Sequence, residues 1–116
     1  GTICPMIDAR RMEVYTALYK ADGSSSEVEA KIIDETSFSE ELKSQELYFC
    51  GNGADKCSSL IKDSNAHFLT GIHPSAKYMV KFAEERFMAG KFEDVAYFEP
   101  FYLKEFQTTV AKNKVL

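Results

Sequence analysis

The chain has 116 residues, 45% of them hydrophobic and 28% charged, the profile of a single folded domain rather than a disordered or membrane-spanning segment. Its length allows roughly two thirds of the unfolded surface to be buried, and nine Phe and six Tyr, with no Trp, supply bulk for a core. A net charge of -4 without a basic stripe argues against this chain being the main contact for a polyanion, because phosphate binding needs clustered Lys and Arg.

From Ile3 to Asp8 the chain is mostly apolar, Ala9-Arg10-Arg11 interrupts, and from Met12 strand formers resume, which predicts a β-hairpin. In its second strand Val14, Thr16 and Leu18 share one face, and Glu13, Tyr15, Ala17 and Tyr19 the other. A small polar run, Lys20 to Ser26, is a loop. Val28 to Ile33 then completes a three-stranded meander. Ser37-Phe38-Ser39-Glu40 opens a short helix, with Ser37 and Glu40 spaced as a capping box and Phe38 and Leu42 on its buried edge. Leu47 to Cys50 is an unbroken apolar run, expected as a central strand, and Gly51-Asn52-Gly53 closes it. Ala54, Cys57, Leu60 and Ile61 recur at helical spacing. Ala66 to Leu69 is a further brief strand. A last helix is expected from Pro74-Ser75 to Gly90, its Ala76, Met79, Val80, Ala83, Phe87 and Met88 stripe buried as core. Tyr97, Phe98, Phe101 and Tyr102 either close the core or cover a surface completed by a partner, and Pro100 favours an extended edge there. Residues 107–116 are polar and expected to fray.

Few residues carry chemistry. Asp8, at a strand end beside Arg10 and Arg11, either faces a cleft or forms a solvated ion pair in a turn, the plainer reading being favoured. The strand, glycine turn and helix around Gly51-Asn52-Gly53 can approach a phosphate, yet the turn lacks the Lys-Ser or Lys-Thr pair of a P-loop and the third glycine of a dinucleotide fingerprint. A simple tight turn is favoured. His67 and His73 lack partners at ligand spacing, so no metal is expected. Cys4, Cys50 and Cys57 form neither an even disulfide framework nor a close ligand pair, which fits a reducing cytoplasm.

Four landmarks arrive in the order found in one family. Pro5-Met6-Ile7-Asp8-Ala9-Arg10-Arg11 with Glu13-Val14-Tyr15 resembles the signature that starts the second lobe of the bacterial TsaB (YeaZ) proteins. Gly51-Asn52-Gly53-Ala54 resembles that family's glycine turn, Pro74-Ser75-Ala76 its helix opening, and Pro100-Phe101-Tyr102-Leu103 its closing Pro-x-Tyr-Leu. The resemblance implies an α/β fold, a ribonuclease-H-like lobe of the actin-like ATPase (ASKHA) class, with residues 1–106 as C-terminal lobe and the N-terminal lobe absent from this sequence. It further implies a cytoplasmic, non-catalytic subunit of the complex that adds threonylcarbamoyl to adenosine 37 of tRNA, partnering a TsaD-like catalytic subunit and a TsaE-like ATPase. Contact with tRNA is then indirect. Asp8, Gly51, Asn52 and Gly53 are at most half of a vestigial nucleotide cleft, Arg10 and Arg11 an interface or cleft edge, and no cofactor or membrane contact is expected. A homodimer remains open. The competing reading is a nucleotide-dependent enzyme, or the peptidase of the older glycoprotease label, with a site shared with the other lobe. No His-Glu-x-x-His helix or nucleophile arrangement supports the peptidase.

Overall fold

The computed structural model describes residues 1–104 and places β1 (Thr2–Asp8) in the middle of a five-stranded sheet of order β3-β2-β1-β4-β5. β2 (Glu13–Thr16) and β3 (Glu29–Ile32) continue from it as the expected antiparallel meander, with Ile7 opposite Tyr15 and Tyr15 opposite Ala30. On its other side β4 (Leu47–Cys50) and β5 (Ala66–Phe68) run parallel to it. Parallel neighbours need crossovers, supplied by α1 (Ser39–Ser44) before β4 and by a single 3₁₀ turn, Asp55–Cys57, before β5.

Alternation along β1 divides the sheet into two unequal faces. Thr2, Cys4 and Met6 point into the core with Val14, Leu47 and Phe49, under Phe38 and Leu42 from the α1 segment and Ala54, Cys57 and Ile61 from the second crossover. Phe49 is its centre, edge-on to Phe38 at 5.3 Å between ring centroids and stacked on Phe68 at 5.0 Å. The Thr16 hydroxyl donates to the Pro5 carbonyl at 2.8 Å, leaving its oxygen to accept from the Cys4 thiol 3.1 Å away, so the polar atoms inside are paired. The opposite face, with Ile3 and Ile7, is about half exposed.

Three sequence expectations change. The capping box does not form: the Ser37 hydroxyl accepts the Asp34 amide at 2.9 Å, and the Asp34 carboxylate takes the Thr36 amide and hydroxyl. This local turn outcompetes the cap. Phe38 occupies the cap position at φ 63 and buries its ring instead. Residues 54–61 keep the predicted buried spacing but not a helix: only one 3₁₀ turn forms, Asp55–Cys57, with the Ser58 hydroxyl donating back to the Asp55 carbonyl.

The third correction is larger. The last helix runs from a 3₁₀ turn, Ala76–Met79, into α2 (Val80–Met88), with Ser75 at the cap position and Pro74 ahead of it. It stops as expected at Gly90, whose φ of 68 lets the Lys91 amide reach the Arg86 carbonyl at 2.9 Å. Its apolar stripe is not core: Met79, Val80, Phe87 and Met88 are all exposed, Met88 to 83%. A period of 3.6 makes one side of a helix apolar without saying what covers it. Tyr97, Phe98, Phe101 and Tyr102 are exposed as well and do not close the core. The expected fraying of 107–116 lies outside the described residues.

Candidate functional site

The parallel pairing of β1 with β4 brings the carboxyl ends of both strands to one edge of the sheet. Connections leave toward β2 on one side and toward β5 on the other, so this boundary is the switch point where open α/β sheets bind ligands. Asp8 ends β1 there, and Gly51-Asn52-Gly53 follows β4.

The four residues meet. The Asp8 amide donates to Asn52 Oδ1 at 2.9 Å, and the Gly53 amide to the Met6 carbonyl at 2.9 Å. Close approach requires the glycines: a Cβ on Gly51, at φ 96, would lie 2.5 Å from the Met6 carbonyl oxygen, and one on Gly53 would lie 3.0 Å from the Asp8 amide nitrogen. The Ala54 amide turns back to the Gly51 carbonyl at 3.2 Å. Two amides that a phosphate would use are therefore already engaged within the fold.

Asp8 is paired, but not with the neighbouring arginine side chains. Its Oδ1 accepts the Arg10 backbone amide at 2.9 Å and an ion pair from Lys56, which also donates to the Glu13 carbonyl at 2.8 Å. The Lys56 ammonium first, and the Arg10 amide second, hold the Asp8 carboxyl below the usual carboxylate range. Such a group stays ionised at neutral pH and makes a poor proton acceptor. Lys56 thereby ties the end of β1, the start of β2 and the second crossover together. No sequence motif singles out Lys56; its available signal was position, three residues after a glycine turn at a strand end.

Arg10 and Arg11 lie at φ 76 and 51, a left-handed conformation that costs non-glycine residues energy. Both are exposed and line an open cleft of about 560 Å³ together with Met12, Ile32 and the Lys104–Glu13 ion pair. That pair spans most of the chain and raises the Lys104 pKa through its bond to Glu13. It had no local signal.

The remaining candidates stay apart from this edge. His67 stacks on Tyr48 at 4.8 Å with Nε2 3.3 Å from Glu46 Oε1, and His73 is exposed. Among the described residues no group of three or more His, Cys, Asp or Glu is placed to hold a metal ion. All three cysteines are free and buried, and burial pushes the Cys4 thiol up to about 12 and raises Cys50 and Cys57. No described helix is long and apolar enough to cross a membrane.

Three antiparallel strands continued by two parallel ones, with crossovers on the core face, give a mixed α/β lobe of ribonuclease-H-like topology. No family model and no curated protein matches the chain. A solved structure does: an uncharacterized protein with similarity to peptidase YEAZ from Pseudomonas aeruginosa, at TM-score 0.65 and 18% identity, over 89% of this chain and 49% of that one. The fold is thus YeaZ-like, and the chain spans about half the length of that solved protein.

Proposed function

We propose that this chain is a lobe of a YeaZ (TsaB)-type protein acting as a non-catalytic, cytoplasmic subunit in the addition of threonylcarbamoyl to adenosine 37 of tRNA. The observation that carries the reading is the fold likeness to a YeaZ-similar protein across most of the chain. The four ordered motifs support it. A TsaD-like catalytic subunit and a TsaE-like ATPase are the proposed partners, with tRNA reached through them, in keeping with the net charge of -4. The engagement of Asp8 by Lys56 supports a structural use of the strand-end edge over a catalytic one. Deleting the gene should abolish threonylcarbamoyladenosine in tRNAs that read codons beginning with A, measured by mass spectrometry of digested tRNA, and a TsaD-like protein should co-purify. Unchanged modification in the deletion strain would overturn the reading.

A second reading, a nucleotide-dependent enzyme or a peptidase whose site is shared with another lobe, draws on one observation: Asp8 and Gly51-Asn52-Gly53 do converge at the sheet's switch point. Calorimetry with ATP and ADP separates the two. Tight binding lost on substitution of Gly51 or Gly53, or ATP turnover that survives purification and vanishes in Asp8→Ala, favours the enzyme.

A further inference from the structure

We infer that the open edge of β3, with the arginine-lined cleft at its end, takes up an extended acidic segment of a partner protein as an added strand. β3 is the outermost strand of the sheet, and its register with β2 is unbroken from Glu29 to Ile32. The Ile33 amide bonds inward to the Met12 carbonyl at 2.8 Å, so by the alternation of an antiparallel pair the backbone groups of Ala30 and Ile32 face away from β2. A row of this kind is a template for another chain, and edges that must stay unpaired carry a proline or a charge. Ala30 and Ile32 are neither, and Ile32 is 72% exposed. The charge of Lys31 is turned to the core side, over the Phe38 ring and beside Glu29.

The cleft lies where such a strand would end. Ile32 is registered opposite Glu13, next to the hairpin tip, and both line the cleft with Arg10, Arg11, Met12 and Lys104. Glu13 is engaged by Lys104, so the two arginines leave this lining with a surplus of positive charge, on a chain whose net charge is -4. Among the described residues neither guanidinium takes part in an ion pair. A hairpin tip with two consecutive positive φ angles favours Asn and Gly. Arginines held there at φ 76 and 51 carry a conformational cost with no local return, as side chains kept for a partner would. Carboxylates suit the occupant, because guanidinium forks bind them through paired hydrogen bonds. Met12 and Ile32 offer apolar surface to the side chains between. Main-chain bonds to β3 then supply affinity, and the arginines select the sequence.

Fluorescence anisotropy with the 116-residue chain tests this, independently of any role in tRNA modification. The probes are fluorescein-labelled peptides of about six residues, alternating Leu with Glu or Leu with Lys. The glutamate peptide is expected to bind saturably, and the lysine peptide not to bind. Arg10→Ala and Arg11→Ala should each weaken binding at least about fivefold. The backbone contact is read without altering the protein. Successive amides of an added strand point alternately at β3 and at solvent, so of two glutamate peptides N-methylated at alternate positions, one should lose binding and the other keep it. Absence of binding by the glutamate peptide, equal binding by the lysine peptide, or indifference to both arginine substitutions would overturn the proposal. So would equal behaviour of the two methylated peptides, the mark of charge attraction without strand pairing. A single-stranded RNA that binds through Arg11 where the peptide fails would replace it with a different partner.

Discussion

At Gly51 a positive φ and a backbone oxygen 2.5 Å from any Cβ coincide, so substitution there meets strain and a clash that no side-chain rotation relieves. Gly51→Ala is expected to destabilise the chain by about 2–4 kcal/mol, read as a lowered urea midpoint with an unchanged slope. Gly53 has the milder contact and no positive φ, and should cost less. Asp8 titrates in a predictable direction. Its folded pKa lies below the unfolded value of about 3.9, so the folded state binds fewer protons. The stability it contributes is in place above that unfolded value and is lost as pH falls through the folded one. Asp8→Asn should therefore flatten the acid limb of a Tm-against-pH curve. The glycines and Asp8 were legible because their residue types admit few other uses at strand ends. Lys56 was not, since a lysine in a polar run looks alike whether it is solvated or reaches back across the sheet.

Among elements, the apolar residues of β4 and of α2 meet opposite fates. Phe49 is fully buried between two other rings, and Phe49→Ala should cost about 3–5 kcal/mol. Phe82→Ala, with the ring 66% exposed, should change monomer stability by no more than about 0.5 kcal/mol. Chemical denaturation of the two variants at low concentration checks the contrast. The strands were readable because alternation and turn residues act within a few positions. The capping box failed for an equally local reason: the Ser37 hydroxyl found a backbone partner other than the one that caps a helix.

For the whole molecule, core and exposed apolar surface are divided along the chain, with the described buried hydrophobics all between Cys4 and Ile61 and none in α2. The thiols report on the body alone. Cys4 and Cys57 are wholly buried with raised pKa values, so a thiol reagent at neutral pH should label them only as the sheet unfolds.

The residue pattern by itself determined the meander, the glycine turn after β4 and the end of α2 at Gly90, all features governed by neighbours a few positions away. Tertiary structure alone decided that α2 leaves its apolar side uncovered, that Asp8 pairs with Lys56 rather than with the adjacent arginines, and that Lys104 returns to Glu13. Periodicity records which side of an element avoids water; only the path of the whole chain determines what, if anything, is there to meet it.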